Sequence, residues 1–140
     1  MMTEISNTFR KREKLCGNKS IDTLFAQGQS FIAYPLRVVY IFDEEADLNK
    51  QYASVLISVS KKKFKRAVKR NRVKRLIREA YRLNKQELIR MLISQNKSLD
   101  IAFIYLKNEL PEYPEIEKAI QKVIFSLSDR IGKQDEKNIV

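Results

Sequence analysis

The segment that most constrains this chain is residues 61–82, which reads KKKFKRAVKRNRVKRLIREAYR. It holds twelve Lys and Arg residues and a single acid, Glu79, so its net charge is +11. The whole chain has 28 basic and 17 acidic residues, also a net +11, which leaves 16 of each sign for all other residues. The excess charge is therefore local, and a concentrated cationic patch is the electrostatic signature of a surface that binds polyanions.

The second half of this segment has the period of an amphipathic helix. At about 100° per residue, one side of the helix is apolar and the other is cationic. The apolar side comprises Val73, Leu76, Ile77, Ala80 and Leu83, and the opposite side comprises Asn71, Arg75, Arg78 and Arg82, flanked by Lys74. Ala67 and Val68 are out of phase, so the helix is predicted to begin between Val68 and Asn71, after a basic connector over residues 61–68.

The charge pattern of this helix favours nucleic-acid binding over an ordinary solvated face. Like charges three and four residues apart repel by a few tenths of a kcal/mol per pair. Lys69, Arg70 and Arg72 also crowd the helix start, where the helix dipole disfavours cations. Solvated faces usually mix the two signs. A polyanion would relieve both costs, whereas water alone would not.

Composition excludes several classes of function. The 140 residues suffice for one domain with a core, and they contain no histidine, the usual general base and a common metal ligand. A lone cysteine, Cys16, excludes an intramolecular disulfide and a multi-cysteine metal site. No catalytic motif is present, so no catalytic or metal-binding residue is assigned. With no apolar run of membrane length and no signal peptide, we expect a cytoplasmic protein.

The remaining patterns predict alternating helices and strands. A short helix over residues 21–27 is N-capped by Ser20 and closed by Gly28. Strands over residues 36–42 and 52–60 are predicted to form an antiparallel hairpin, and the continuous apolar run 99–106 a buried central strand. The basic helix is expected to continue through Leu88, Met91 and Leu92, and the pattern breaks at 94–98. The last helix, residues 114–131, has a core stripe of Ile116, Ala119, Ile120, Val123, Ile124 and Leu127.

These elements predict an α/β fold of the α+β sandwich type. One small mixed sheet of three to four strands carries about three helices, largely on one face, which leaves part of the opposite face open for binding. Residues 1–140 are expected to form a single RNA-binding domain. Residues 1–19 would be a basic arm, with its charges clustered over 10–14, and residues 132–140 a flexible tail.

At this point the sequence resembles a known family. The stretch SVSKKKFKRAVKRNRVKRLIREAYRLNK is similar to the signature of the bacterial ribonuclease P protein component, including Arg70-Asn71-Arg72, the family's RNR motif. The similarity extends to residues 9–15, 24–28, 35–40 and 100–102 and to the start of the last helix. It implies a small ribosomal-protein-like fold with a left-handed βαβ crossover, against the usual right-handed rule.

The resemblance also implies a function. The family's members are protein subunits of a ribonucleoprotein endonuclease that removes the 5′ leader from precursor tRNA. Catalysis and the Mg²⁺ ions would belong mainly to the RNA subunit, with no ion bound by the protein alone. The implied partners are ribonuclease P RNA and precursor tRNA, with no membrane and no obligate protein partner.

Site residues follow by matching positions to the family pattern. The residues matched to RNA-subunit binding are Lys61, Lys62, Lys69, Arg70, Asn71, Arg72, Lys74, Arg75 and Arg78. Residues 63–66 lie where the connector is one residue longer than the family pattern. The leader cleft, between the first helix and the sheet, implies Phe25, Tyr40 and Ile21. Isoleucine cannot stack on a base as an aromatic ring can, and for Phe25 plain core packing is an equal alternative.

Two other classes of function remain open on charge alone. A general RNA- or DNA-binding module, such as a ribosomal or chromatin protein, shares the cationic helix but would not activate a catalytic RNA. A basic adaptor could instead dock on an acidic protein or a membrane surface. Competition by duplex DNA would distinguish a general nucleic-acid binder from a subunit of a catalytic RNA. The adaptor alternative conflicts with the apolar face of the helix, which is expected to pack on the core.

Overall fold

The computed structural model describes residues 18–43 and 52–137, and it confirms a mixed α/β fold with a four-stranded sheet. Its elements are α1 (Asn18–Gln27), β1 (Gln29–Ala33), β2 (Leu36–Asp43), β3 (Ala53–Ser58), α2 (Ala67–Asn84), α3 (Gln86–Gln95), β4 (Ser98–Tyr105) and α4 (Tyr113–Lys137). The predicted basic arm lies outside the described residues as far as residue 17, and residues 18 and 19 are part of α1.

The strand order in the sheet is β1-β2-β4-β3. β2 pairs antiparallel with β4, placing Tyr40 opposite Ile101, and β3 pairs parallel with β4, placing Val55 beside the same Ile101. The predicted hairpin between residues 36–42 and 52–60 is therefore wrong, because β4 lies between those two strands. The internal position of β4 was correctly predicted, since a strand covered on both faces reads as a continuous apolar run.

The hairpin of the described sheet is instead formed by β1 and β2. β1 pairs antiparallel with β2 and places Phe31 opposite Val38, and the turn contains the Tyr34–Pro35 peptide bond in the cis form. β1 was missed by the sequence analysis. Its five residues, QSFIA, hold only a short apolar signal, which is typical of a short edge strand.

The main core lies between one face of the sheet and helices α2, α3 and α4. From the sheet it takes Val38, Val55 and Phe103, and from the helices mainly the apolar stripes predicted from sequence. All six stripe residues of α4 are buried, which confirms the period assigned to that helix. Full burial of each Ile or Leu contributes about 1.5–3 kcal/mol, so this face supplies most of the apolar stabilisation.

α1 packs on the opposite face of the sheet, where Leu24 contacts a smaller cluster around Val39 and Ala102. Ile41 and Ile104 are partly buried at the margin of this cluster. Of the described helices, three share one face of the sheet, as predicted, and α1 lies on the other. The β3–α2–α3–β4 connection joins two parallel neighbouring strands, and its left-handedness stays a prediction from the resemblance.

Several helix boundaries differ from those predicted. α1 begins at Asn18, so Ser20 lies inside the helix and not at its cap. α2 begins at Ala67, and it ends at Asn84, so the helix that was expected to continue is two helices, α2 and α3. α4 extends to Lys137, so the predicted tail is helical up to that residue. Helix ends carry weak sequence signals because the stabilising contacts there are few.

Candidate nucleic-acid interface

α2 buries its apolar face in the main core. Val73, Ile77, Ala80 and Tyr81 are buried, and the Tyr81 ring lies 5.9 Å from that of Phe103. The prediction that Val73, Ile77 and Ala80 face the core is confirmed. The prediction for Leu83 is wrong, because Leu83 is exposed and Tyr81 is the buried residue of the last turn. The packing of this face holds the opposite, cationic face toward solvent.

The cationic face of α2 consists of residues predicted to bind RNA. Exposed members are Lys69, Asn71, Arg72 and Arg75, and half-buried members are Arg70, Lys74 and Arg78. The acid within the helix, Glu79, accepts a hydrogen bond from Arg82 (Nε–Oε2 3.1 Å), which holds the pKa of the Glu79 carboxyl below its usual value. Within the described residues, no salt bridge neutralises Arg72 or Arg75.

The start of α2 is built to attract an anion. Arg66 occupies the N-cap position with extended backbone angles, and its side chain makes no capping hydrogen bond within the described part of the chain. The first turn contains no acid. The first N–H groups of a helix lack partners within the helix, and the positive end of the dipole lies there. A phosphate group suits such a position in both charge and hydrogen bonding.

The connector before α2 is held against the end of β4 by two contacts and is fastened to α2 by Arg70. Phe64 is buried beside Tyr105, with ring centroids 6.1 Å apart. Lys63 Nζ donates to the Leu106 carbonyl. Arg70 Nη1 donates to the carbonyls of Phe64 (2.8 Å) and Lys65 (3.0 Å). The first arginine of the RNR motif therefore braces the connector, a role that the sequence pattern did not indicate.

Lys61 and Lys62, at the start of the connector, are exposed. The Lys62 backbone N–H donates to Ser60 Oγ at 3.1 Å, which shapes the exit from β3. The exposed cations of the connector and those of α2 follow one another along the chain and flank the uncapped helix start. All nine residues matched to RNA-subunit binding thus lie on two consecutive elements.

The three residues matched to leader binding do not come together. Ile21 and Phe25 share one side of α1, and the Phe25 side chain is 48% exposed. Tyr40 is 2% exposed and lies on the other face of the sheet, in the main core. Side chains alternate along a strand, so Tyr40 faces the same way as Val38, whereas α1 packs on the face that carries Val39.

Tyr40 is instead part of an aromatic cluster closed by Arg130. Its ring makes edge contacts with Phe31 at 5.8 Å and Phe42 at 5.4 Å. The Arg130 guanidinium lies 4.7 Å from the Phe31 ring centre and 5.2 Å from that of Tyr40, and it donates to the Tyr40 hydroxyl. The hydroxyl donates in turn to Gln29 Oε1 at 2.9 Å. Arg130 was not predicted from the sequence, in which its signal is a single cation beside the core stripe of α4.

The described residues contain neither a cluster of metal-ligating side chains nor a helix suited to cross a membrane. Residues 18–43 and 52–137 contain no group of three or more His, Cys, Asp or Glu side chains that could hold a metal ion. Over the same ranges, no helix combines the length and the apolar character needed to cross a membrane.

Comparison with known proteins gives a consistent result. The family model described as Ribonuclease P matches residues 9–128. A ribonuclease P protein component of Porphyromonas gingivalis is 44% identical over 128 residues, which cover 91% of this chain and 92% of that relative. A ribonuclease P protein component of Clostridioides difficile is 36% identical over 117 residues, covering 83% and 92% of the two chains.

The fold is similar to those of two solved structures. The RNase P protein of Staphylococcus aureus superposes with a TM-score of 0.62 at 22% identity, covering 81% of this chain and 94% of that one. The RNase P protein from Thermotoga maritima superposes with a TM-score of 0.61 at 23% identity, covering 80% and 94%. The family match, the relatives' identity and the shared fold agree, and the chain therefore belongs to the ribonuclease P family, as a protein component of that endoribonuclease ribonucleoprotein.

Proposed function

We propose that this chain binds ribonuclease P RNA through α2 and the connector, and that it assists that RNA in removing the 5′ leader of precursor tRNA. The observation that carries the proposal is the cationic face of α2, which leads into an uncapped helix start without an acid in its first turn. A protein surface of this kind is stabilised by phosphates. The family membership identifies the RNA that supplies them.

The protein would act by electrostatics and positioning. Each phosphate neutralised by Lys or Arg releases condensed counterions, which drives binding at low salt. The same cations lower the RNA's own requirement for divalent ions. We assign the catalytic Mg²⁺ to the RNA subunit, where it would supply charge stabilisation at the scissile phosphate, and we assign no step of the reaction to side chains of this chain. A cytoplasmic location is part of the same proposal.

The leader of the precursor would lie beside α1, on the sheet face opposite α2. That face carries Ile41 and Ile104, both only partly buried, next to the half-exposed ring of Phe25. A base can stack on an aromatic ring whatever its identity, and the exposed half of Phe25 favours this role over plain core packing. Tyr40 is left out of the contact because its ring is buried on the other face.

The test is leader removal at low magnesium by ribonuclease P RNA from the same organism, with and without equimolar protein. We expect stimulation by the unaltered chain and loss of stimulation by Arg72→Glu. Arg90→Glu is the matched control, since Arg90 is an exposed arginine on α3 and is not among the residues matched to RNA binding. Binding of the RNA without stimulation would reduce the protein to a general RNA binder. If Arg72→Glu and Arg90→Glu reduced the stimulation equally, α2 would not be the RNA-binding surface.

The leader contact is tested separately through the ratio of affinities for precursor and mature tRNA. Phe25→Ala is expected to reduce this ratio by about 5-fold or more, from the stacking of one base. Tyr40→Phe keeps the ring and removes the hydroxyl on the other face, so the ratio should not change. An unchanged ratio in Phe25→Ala would show that the leader does not use α1.

A further inference from the structure

A groove with aromatic and cationic walls lies between α4 and the edge of the sheet formed by β1. It is an open groove of about 520 Å³, lined among others by Ile32, Tyr34, Lys118, Lys122 and Phe125. Three of these apolar side chains are largely in solvent: Ile32 is 67% exposed, Tyr34 65% and Phe125 75%. Core packing does not account for their size and type, and such a patch is a mark of an interaction surface.

The charges around this groove favour a polyanion. Lys118 and Lys122 are one helical turn apart on α4, at the side of Phe125. Lys107 Nζ lies 5.4 Å from the centre of the Tyr34 ring and pairs with Glu115. Aromatic side chains interleaved with cations form the platforms on which proteins bind single-stranded nucleic acid, since bases stack on the rings and phosphates meet the cations.

The groove is continuous with the connector. Tyr34 also lines a neighbouring groove with Lys62, Lys63, Asn108 and one acid, Glu109. Lys63 and Asn108 in turn line a third groove, which reaches Lys69 at the start of α2. The three grooves are therefore neighbours, and together they form a track from the start of α2, past the β1–β2 turn, to Phe125 on α4.

Two hydrogen bonds to the Leu106 backbone hold the parts of this track in place. The Leu106 N–H donates to the Pro35 carbonyl at 2.9 Å, which ties the β1–β2 turn to the end of β4. The Leu106 carbonyl accepts from Lys63 Nζ, which ties the connector to the same point. A preformed track costs little ordering when a ligand binds.

We propose that unpaired nucleotides of ribonuclease P RNA follow this track and stack on Phe125 and Tyr34, with Lys118 and Lys122 on their phosphates. The inference rests on the proposed function of α2 and the connector, and it extends that interface to α4. We assign the leader elsewhere, because no residue of α1 is among those that line this groove. A second copy of the chain is disfavoured, because a two-fold contact through this groove would bring the lysines of both copies together.

The first measurement is the affinity of ribonuclease P RNA, without substrate, for the Phe125→Ala protein. We expect a loss of about 5-fold or more, which corresponds to the stacking of a single base. Phe125→Trp keeps a stacking ring and should retain the affinity of the unaltered chain. Phe125 is mostly solvent-exposed, so thermal unfolding of both variants should match that of the unaltered chain.

The second measurement is the salt dependence of that affinity for Lys122→Ala. Removing one phosphate contact should reduce the slope of log K against log salt by roughly 1. Arg90→Ala is the matched control, because it removes an exposed cation from α3, outside the track. The control should keep the slope of the unaltered chain.

The outcomes separate this inference from the proposed function. Failure of the unaltered chain to bind the RNA would overturn both. Binding by the unaltered chain with no effect of Phe125→Ala and Lys122→Ala would overturn the groove alone. A reduced preference for precursor over mature tRNA, with unchanged RNA-subunit affinity, would assign the groove to the leader and overturn our choice. If the chain formed a dimer without RNA and Phe125→Ala dissociated that dimer, the groove would bind a second copy of the chain, which would also overturn our choice.

Discussion

Arg70 and Arg72 lie two residues apart in one motif, yet the structure uses them differently. A separation of two residues on a helix turns the side chains by about 200°. Arg70 points back along the chain, where its guanidinium donates to the Phe64 and Lys65 carbonyls. Arg72 is exposed and, within the described residues, has no hydrogen bond or ion pair. One arginine positions the connector, and the other is available to phosphate.

Arg70→Ala and Arg72→Ala are therefore expected to differ in stability. Loss of the two charge-assisted hydrogen bonds of Arg70 should lower the free energy of unfolding by about 1–3 kcal/mol. Arg72→Ala should change it by less than about 0.5 kcal/mol, as for most surface substitutions. Urea unfolding of both variants measures the difference. Equal stabilities would contradict the bracing role of Arg70.

The Tyr105 hydroxyl makes stability depend on alkaline pH. It donates to the Glu109 carbonyl at 2.6 Å, and burial, aided by the nearby charge of Glu115, raises the pKa of Tyr105 to about 12. The unfolded chain has a tyrosine pKa near 10. The folded state thus holds this proton more tightly than the unfolded chain does. The stabilisation that results is complete below about pH 10 and is lost as the pH rises toward 12.

Tyr105→Phe tests this dependence. At pH 8 the variant should be less stable by about 1 kcal/mol, from the lost hydrogen bond. The difference should narrow between pH 10 and pH 12, because only the parent chain loses the proton-linked contribution over that range. Urea midpoints at several pH values measure it, and a constant difference up to pH 12 would count against the raised pKa.

At the scale of elements, the start of α2 lacks a stabilising cap, and the proposed function gives a reason for it. Its N-cap residue is Arg66, and the side chain makes no capping bond within the described residues. Asn, Asp, Ser and Thr are preferred at this position because their side chains accept a hydrogen bond from the first turn. A cation there leaves the first N–H groups to an incoming phosphate.

Comparing Arg66→Asn with Arg66→Ala separates the cap from the charge. Both variants remove the cation, so both should bind ribonuclease P RNA more weakly. Only Asn can cap the helix, so it should be more stable than the Ala variant by about 1 kcal/mol. Thermal unfolding without RNA, together with RNA affinity, checks both parts. The idea fails if the two variants are equally stable.

The end of α1 comes very close to β2 at Gly28. A Cβ atom at this position would lie 2.3 Å from the Leu24 carbonyl oxygen and 3.0 Å from the Tyr40 carbonyl oxygen. Neither backbone atom can move without displacing α1 or β2. The glycine is required here by space, and the helix end therefore sits directly on the sheet.

Gly28→Ala should consequently shift α1 and destabilise the protein by about 1–3 kcal/mol, as other overpacked sites do. Urea unfolding gives the stability, and the affinity ratio for precursor and mature tRNA reports on the α1 face. Ala26→Ser, at an exposed position of the same helix, is the control and should affect neither quantity. A stable Gly28→Ala protein with an unchanged affinity ratio would contradict the close approach.

At the scale of the whole molecule, the sheet separates two surfaces of different character. The face that carries α1 is apolar and half-open, whereas the connector and α2 carry the concentrated cations. Under the proposed function, this separation would let one small protein bind two RNA segments without competition between them. It also means that salt should affect the two contacts unequally.

Affinity for ribonuclease P RNA should fall steeply with salt. If about six phosphates are neutralised, log K should fall with log salt at a slope of roughly −4 to −5. The slope is obtained from dissociation constants measured between about 50 and 200 mM monovalent salt. The ratio of affinities for precursor and mature tRNA should depend on salt far less, because the leader contact relies on base stacking and not on charge. A slope near zero for the RNA subunit would contradict an interface based on α2.

The sequence by itself determined the features that depend on neighbours along the chain. The 3.6-residue period located α2 and the stripe of α4, the period of two located β2, and the charge count located the cationic segment. The RNR stretch pointed to the family that the relatives confirm. Each of these signals is local, because it arises from residues within a few turns of one another.

Only the tertiary structure decided which elements meet. It placed β4 between β2 and β3, added the edge strand β1, put Tyr40 opposite the face that α1 covers, and closed the Tyr40 cluster with Arg130. An alternating strand shows that two faces exist but not which helix covers each of them. That choice depends on contacts between residues far apart in the chain, up to 90 positions for Tyr40 and Arg130, and a local pattern carries no information about them.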